Sequence, residues 1–299
     1  MVDNNKRRGQ ELVSEEGLYT TPDVIKGTLC EGCGGIMALK TIINVLGKNT
    51  VVSIPASCMA NVSATQKKTS FRIPFVHTLF GSAPAVSTGL KAAYDALNKK
   101  DINIVTIAGD SGSLDIGFQA LSGQASRNDN VLHICYDNEA AMATGGQVNS
   151  TSPNKALTLT TPMGSPFIKK NGPAIMVAHR IPYVATASIS HVKDLELKIR
   201  KAMKIHGMKY IHILAPCPIS WDYDFKKTEE MANLAVKTGL WMLYEVESGS
   251  FSLTYKPSQR ISVREFFESQ GRYSLLTEED INTIQNEIDN MWRDIDERD

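Results

Sequence analysis

Short apolar runs and longer segments with a helical repeat alternate along the first two thirds of the chain. The apolar runs are typical of strands buried on both faces, and they cover residues 50–54, 102–107, 131–136, 183–185 and 210–214. The helical segments cover residues 34–46, 83–97, 116–126 and 193–206. Strands joined by helices predict an α/β fold with a doubly wound, mostly parallel sheet. In such a sheet, ligands bind at the carboxyl ends of the strands.

The pattern changes after about residue 225. Residues 228–238 predict a surface helix, 243–255 a short β segment, and 277–298 a final amphipathic helix with Thr277 as N-cap and Asp280 three residues on. We therefore divide the chain into a sheet domain (1–225) and a C-terminal extension (226–299). The apolar stripe of the last helix fits packing on its own domain and packing on a partner equally well.

Composition and charge narrow the class of protein. The 299 residues are 42% hydrophobic and 21% charged, with 32 basic against 32 acidic side chains. That balance gives no electrostatic reason to expect nucleic acid or an anionic membrane as the main partner. The first residues are polar, unlike a secretory signal. The sequence also has no run of about 18 apolar residues, the length needed to span a bilayer. These features predict a cytoplasmic protein.

Two neighbouring strands of the predicted sheet each end in a residue with an oxygen ligand. The strand at 102–107 runs into Gly109-Asp110-Ser111-Gly112, and the next strand ends at Asp137-Asn138-Glu139. Mg²⁺ prefers such oxygen ligands and takes the others from a diphosphate, backbone carbonyls and water. Glycines let the backbone approach phosphates, and a helix start favours an anion. The same residues are also compatible with a tight turn followed by a capping asparagine.

The chain has five cysteines, an odd number that argues against a disulfide framework. Cys30 and Cys33 form a CxxC, Cys58 follows a predicted strand, and Cys217 lies in APCP just after another. Four thiolates from loops at strand ends fit either tetrahedral zinc or an iron–sulfur cluster, and the residues alone leave both open with a slight preference for zinc. Cys135, inside an apolar strand, is predicted to be a buried structural thiol.

The spacing of Asp110 and Asn138 is similar to the thiamine-diphosphate signature, and ICYDNEAAMATGGQ closely resembles a stretch of the β subunits of pyruvate:ferredoxin oxidoreductases. The resemblance extends in order from about residue 27 to 272. It includes LCEGCGG, VHTLF, AVSTGLKAAY, DIGFQALSG, AIMVAHRIPYVATASIS, YIHILAPCP and LAVKTGLWMLYEVE. No single short pattern could mimic so many segments in order.

The resemblance implies a set of cofactor ligands. Thiamine diphosphate would bind at Asp110, Ser111, Gly112, Asn138 and Ala140. Mg²⁺ would be held by Asp110, the Asn138 side chain and the Ala140 carbonyl. One [4Fe–4S] cluster would be held by Cys30, Cys33, Cys58 and Cys217. Both cofactors would then belong to the region 1–225.

The resemblance also implies an activity and partners. The reaction is the reversible, coenzyme A-dependent oxidative decarboxylation of pyruvate or a related 2-oxoacid, with ferredoxin as electron acceptor. The glutamate that activates thiamine comes from the α subunit in this family, so no catalytic residue is assigned to this chain. Ferredoxin-like γ and δ subunits complete the complex, and we expect the isolated chain to be inactive.

Several positions depart from the family near the implied site. The Gly-His before the CxxC is Gly27-Thr28 here, and Gly81, Ser111, Ala141 and Ala143 replace family residues. The Ala143 change removes a polar asparagine near the reacting carbon. A different 2-oxoacid and a weakly active or non-catalytic paralogue both explain these changes, and neutral drift explains any one of them taken alone. Two further functions remain compatible with the residues: a thiamine-dependent decarboxylase or synthase subunit without electron transfer, and a zinc-bearing assembly subunit.

Overall fold

The strands come from all parts of the described chain. The computed structural model describes residues 30–65, 68–69 and 71–297. In sequence order the strands are β1 (Thr50–Pro55), β2 (Ala64–Thr65), β3 (Lys68–Thr69), β4 (Phe75–Thr78), β5 (Asn103–Gly109), β6 (Leu132–Asp137), β7 (Tyr183–Ser188), β8 (Lys209–Leu214), β9 (Leu243–Glu247) and β10 (Ser250–Tyr255). Eight of them form one sheet in the order β10-β9-β7-β8-β6-β5-β1-β4, while β2 and β3 pair separately.

The predicted fold class is confirmed. Strands β4, β1, β5, β6, β8 and β7 run parallel, and β9 and β10 add an antiparallel edge. All five predicted strands lie in the parallel part, where β1, β6, β7 and β8 are buried throughout and therefore consist largely of apolar residues. Strand β4 was not predicted from the sequence, because this four-residue edge strand is only half-buried and its apolar run is short.

Helices cover both faces of the sheet. They are α1 (Gly34–Leu46), α2 (Cys58–Ser63), α3 (Ala83–Ala96), α4 (Phe118–Arg127), α5 (Gly172–Ala178), α6 (Val192–Lys204), α7 (Pro218–Trp221), α8 (Thr228–Lys237), α9 (Val263–Glu268) and α10 (Glu278–Asp296). Apolar residues of α1 and α6 form the core on one face, and those of α3, α4 and α5 form the core on the other. None of the described helices is both long and apolar enough to cross a membrane.

The segment after residue 225 packs against the sheet domain. Strand β9 pairs with β7, and α8, α9 and α10 contribute to a third apolar core that also contains Cys217 and Trp221. Helix α10 begins with the predicted capping box, in which Thr277 and Asp280 each accept a hydrogen bond from the other's backbone. Trp292, on the apolar stripe of α10, is 1% exposed and donates a hydrogen bond to the carbonyl of Gly239.

The order of the strands identifies the edge where a ligand would bind. After β1, the next strand of this sheet along the chain is β4, which lies on one side of β1. The strand that follows β4 along the chain, β5, lies on the other side of β1. In open α/β sheets ligands usually bind where the direction changes in this way, here outside the carboxyl ends of β1 and β5.

Candidate functional site

Four strands of the parallel sheet end in predicted site residues. Cys58 follows β1, Asp110 follows β5, Asn138 follows β6, and Cys217 lies just beyond β8. Strands β5 and β6 are neighbours, with Gly109 paired to Tyr136. Because parallel strands present their carboxyl ends at one edge, these residues share that edge of the sheet.

Asp110 is 3% exposed and lies against a second carboxylate. Its Oδ1 accepts a hydrogen bond of 2.7 Å from the Ser111 N–H, and its Oδ2 accepts one of 2.7 Å from Thr151 Oγ1. Burial, and then the negative charge of Asp137, raise the pKa of Asp110 well above its usual range. None of the ion pairs among the described residues includes Asp110. A buried carboxylate in this situation fits a cation, which would stabilise its charged form.

The turn after Asp110 has no room for side chains at two glycines. Residues Ser111–Asp115 form a single π-helical turn. A Cβ at Gly117 would lie 1.9 Å from the Gly112 carbonyl oxygen, and one at Gly81 would lie 2.9 Å from the Ile116 carbonyl oxygen. A side chain at Gly81 would therefore require the backbone near Ile116 to shift.

The remaining departures lie in three places along the chain. Ser111 Oγ accepts a hydrogen bond of 2.7 Å from Asn149, so its hydroxyl is tied to the loop that also contains Thr151. Ala141 and Ala143 lie in the loop after β6, where Ala143 is exposed. Gly27 and Thr28 lie outside the described residues.

Residues 138–140 form a tight turn at the end of β6. Asn138 is 9% exposed, and its Oδ1 accepts a long hydrogen bond of 3.4 Å from the Ala140 N–H. The Ala140 carbonyl accepts one from the Met142 N–H at 2.9 Å, which leaves its second lone pair available. Glu139, between them, has a left-handed backbone with φ of 62°. Trp221 Nε1 donates to the Asn138 carbonyl at 3.0 Å.

A buried network of charges, which was not predicted from the sequence, supports this turn. Asp137 Oδ2 lies 2.8 Å from Lys169 Nζ and 2.9 Å from His212 Nε2. Although burial acts to raise it, the pKa of Asp137 is held well below its usual range by the Lys169 ammonium and by His212. Lys169 also pairs with Glu139, whose Oε2 lies 2.7 Å from Arg272 Nη1. Only the adjacency of Asp137 and Glu139 to Asn138 hints at this network in the sequence.

Cys30, Cys33, Cys58 and Cys217 lie close enough to influence one another electrostatically. Burial, with smaller contributions from Cys217 and Cys30, raises the pKa of Cys33 to about 11. Burial also raises the pKa of Cys58 to about 12, with contributions from the same group of thiols and from Asp110. The Gly34 N–H donates to the Pro216 carbonyl at 3.1 Å, which brings the CxxC loop beside the loop of Cys217.

Cys135, by contrast, is fully buried in the core between the sheet and helices α3, α4 and α5.

Across the described ranges, no group of three or more His, Cys, Asp or Glu side chains could hold a metal ion. The implied magnesium ligands include one acidic side chain, together with an amide and a carbonyl. The thiolates of a four-iron cluster bind separate iron atoms and stand further apart than the ligands of one ion.

Comparison with known proteins identifies the family. Residues 55–213 match the thiamine pyrophosphate enzyme, C-terminal TPP binding domain. The chain is 44% identical over 271 residues to pyruvate synthase subunit PorB of Methanothermobacter thermautotrophicus, covering 89% of this chain and 94% of that one. It is 38% identical over 277 residues to ketoisovalerate oxidoreductase subunit VorB of Pyrococcus abyssi, covering 89% of each.

A solved structure has a similar fold. The 2-oxoglutarate:ferredoxin oxidoreductase from Magnetococcus marinus superposes with a TM-score of 0.59 at 24% identity, over 72% of this chain and 79% of that one. An α/β sheet with a thiamine pyrophosphate-binding domain at this position defines a class of cofactor-dependent enzymes. The chain belongs to the thiamine pyrophosphate enzyme family and, within it, to the oxidoreductase subunits that include pyruvate synthase subunit PorB.

Proposed function

We propose that this chain is the β subunit of a 2-oxoacid:ferredoxin oxidoreductase that acts on pyruvate or a related 2-oxoacid with coenzyme A. The relatives' names, pyruvate synthase and ketoisovalerate oxidoreductase, support 2-oxoacids as the substrate class. The observation that carries the proposal is the arrangement of one sheet edge. This edge carries a buried carboxylate whose charged form a cation would stabilise, an asparagine at the end of the next strand, and four neighbouring thiols.

In this proposal Asp110, Asn138 and the Ala140 carbonyl bind Mg²⁺, which in turn binds the diphosphate of thiamine. Ser111 and Gly112 would contribute to binding the diphosphate, because backbone N–H groups of the turn 111–117 could donate to it. The raised pKa of Asp110 supports this assignment, because the charge of a bound cation would offset both burial and the repulsion from Asp137.

Cys30, Cys33, Cys58 and Cys217 bind one [4Fe–4S] cluster in the same proposal. Their mutual electrostatic influence supports a shared site, and the high pKa values of Cys33 and Cys58 are typical of buried thiols without a metal. Iron would offset the cost of ionising these thiols, as metals do for coordinating thiolates. Cys58 also interacts with Asp110, which supports a short distance between the two cofactors.

When bound, thiamine diphosphate supplies the electron sink for decarboxylation, and the cluster accepts the electrons that oxidation releases. This chain contributes the metal ligands, the thiolates and a water-excluding surface. Exposed apolar side chains at the same edge support a covering partner, the α subunit that supplies the activating glutamate; examples are Leu79 (81% exposed) and Ile116 (54% exposed). Ferredoxin-like γ and δ subunits then pass electrons to ferredoxin.

The test is anaerobic co-expression of the chain with its partner subunits, followed by iron analysis and a panel of 2-oxoacids with coenzyme A and a ferredoxin substitute. We expect iron, and 2-oxoacid-dependent reduction of the acceptor. Asp110→Asn should lower the activity by about 100-fold or more while iron is retained. Cys58→Ser or Cys217→Ser should remove iron, and the matched variant Cys135→Ala should retain it.

The competing functions give different results in the same preparation. A thiamine-dependent decarboxylase without electron transfer would decarboxylate a 2-oxoacid with no iron and no acceptor reduction. A zinc-bearing assembly subunit would contain zinc and neither bind thiamine diphosphate nor turn over. Either outcome would reject the oxidoreductase assignment.

A further inference from the structure

The turn between the two proposed magnesium ligands after β6 has an unfavourable backbone conformation. Glu139 has φ of 62°, a left-handed geometry that side chains other than glycine, asparagine and aspartate rarely adopt. A non-glycine residue keeps such a geometry only where its surroundings hold it there. The contacts of Glu139 therefore decide where the Asn138 side chain and the Ala140 carbonyl point.

Glu139 is held at its backbone by two neighbours. Its N–H donates to Asp137 Oδ1 at 2.9 Å, and its carbonyl accepts a hydrogen bond of 2.8 Å from Ser152 Oγ. Its side chain, 8% exposed, pairs with Lys169 and Arg272. The Lys169 ammonium is shared with Asp137, so it is a single point charge between two carboxylates.

Arg272 reaches this turn from the C-terminal extension, between α9 and α10. Its side chain is 2% exposed, and Nη1 lies 2.7 Å from Glu139 Oε2. Its Nε donates to Gln270 Oε1 at 2.8 Å, and its guanidinium lies 3.8 Å from the centre of the Trp221 ring. Trp221 itself donates to the Asn138 carbonyl. The guanidinium is thus held by Gln270 and by the Trp221 ring, and its Nη1 makes a buried charge contact with the Glu139 carboxylate.

We propose that Arg272 is a positioning residue for the metal site: its ion pair with Glu139 holds the 138–140 turn so that Asn138 and Ala140 present oxygen ligands beside Asp110. This inference rests on the proposed function. It assigns the C-terminal extension an indirect part in cofactor binding, through a residue that touches neither the metal nor the cofactor. Partners of metal ligands of this kind affect metal affinity by about 10–100-fold.

The test uses the anaerobically co-expressed complex, freed of Mg²⁺ and thiamine diphosphate and then titrated with Mg²⁺ at a fixed thiamine diphosphate concentration. Arg272→Met removes the charge and keeps the apolar stem. Glu139→Gly removes the carboxylate from the other side and suits the left-handed backbone. Arg264→Met is the matched control, because Arg264 belongs to the same extension and pairs with Glu278 at the surface.

We expect Arg272→Met and Glu139→Gly each to raise the Kd for Mg²⁺ by about tenfold or more. The Kd for Mg²⁺ of the double variant should be no higher than the higher of the two single-variant values, since both substitutions remove the same ion pair. Arg272→Lys should restore part of the affinity, and saturating Mg²⁺ should restore kcat in Arg272→Met. The melting temperature and iron content of the complex, measured in parallel, separate this effect from a general loss of structure.

Two results would overturn the inference. One is a Kd for Mg²⁺ in Arg272→Met equal to that of Arg264→Met. The other is an unchanged Kd in Glu139→Gly, which also decides the matter should Arg272→Met fail to assemble. Asp110→Asn in the same titration tests the proposed function separately. If Asp110→Asn still binds Mg²⁺ with the wild-type Kd, the metal site itself is rejected, and the role of Arg272 with it. If Asp110→Asn loses Mg²⁺ affinity and Arg272→Met does not, only the role of Arg272 is rejected.

Discussion

The backbone N–H of Gly34 donates a hydrogen bond of 3.1 Å to the carbonyl of Pro216. This contact joins two segments that are distant in sequence, the one just after the CxxC and the one just before Cys217. The approach is close enough that a Cβ at Gly34 would lie 2.6 Å from the Pro216 carbonyl oxygen. The glycine is thus required by the meeting of the two cysteine loops.

Gly34→Ala should separate these loops and lower the iron content of the anaerobically purified complex. The added methyl group meets backbone atoms that cannot move aside cheaply, so we also expect a loss of about 1–3 kcal/mol in the free energy of unfolding. Gly89→Ala is the control, because a Cβ there meets no atom within 4 Å. That variant should keep its iron and be as stable as the wild type or more so. Full iron content in Gly34→Ala would contradict the prediction.

Asp110→Asn should stabilise the metal-free chain while removing Mg²⁺ binding. Because the pKa of Asp110 is raised in the folded state, its contribution to stability is favourable at low pH and is lost as the pH rises through that pKa. At neutral pH the neutral amide should therefore be more stable by about 0.5–2 kcal/mol, as is common for residues that serve function at the expense of stability. Urea unfolding without and with Mg²⁺ and thiamine diphosphate measures both effects. An asparagine variant that is less stable without metal would count against the buried-charge argument.

Most of the sheet could be predicted from the sequence, because strands buried on both faces are continuous apolar runs. The Asp110 and Asn138 positions could also be located, since each follows such a run directly. The missed strand β4 is short and half-buried, so its pattern is weak.

The supporting charges could not be predicted in the same way. Lys169 and Arg272 reach the turn from loops far along the chain, and nothing in their local sequence distinguishes them from surface cations. The burial of Arg272 depends on the packing of the residues after 225 onto the earlier part of the fold, where Arg272 lies against Trp221. Such long-range placement is a property of the tertiary fold and leaves no periodic signal in the sequence.

The free energy of unfolding should depend on pH through Lys209, which lies at the opposite end of β8 from Cys217. It is 5% exposed, and burial, followed by the nearby charge of Lys91, lowers its pKa to about 8. The unfolded chain therefore binds more protons between pH 8 and the usual lysine pKa, so this residue adds stability as the pH rises through that range. Lys209→Met should be more stable than the wild type by about 1–3 kcal/mol at pH 7, and the difference should shrink towards pH 10.

Urea unfolding of the purified subunit at several pH values checks this, with Lys204→Met as the control. Lys204 is exposed at the end of α6, so its replacement should change stability by less than about 0.5 kcal/mol at any pH. A constant difference between Lys209→Met and the wild type from pH 7 to 10 would show that Lys209 does not titrate as its burial implies.

Ala143 offers a test of substrate choice. It is exposed in the turn Met142–Thr144 that follows the proposed metal ligand Ala140, at a position where the resemblance implies an asparagine near the reacting carbon. A hydrogen-bond donor placed at a developing charge contributes about 100–1,000-fold to a rate, so Ala143→Asn should raise kcat/KM for pyruvate by about tenfold or more.

The measurement is kcat/KM for the wild type and Ala143→Asn complexes across pyruvate, 2-oxoglutarate and branched 2-oxoacids. We expect the variant to shift its preference towards pyruvate relative to the wild type, because the asparagine side chain can donate a hydrogen bond that alanine cannot. Ala143→Ser, which adds a smaller donor, should lie between the two. A variant that loses activity equally on every 2-oxoacid would instead mean that this turn shapes the cofactor site and has no part in specificity.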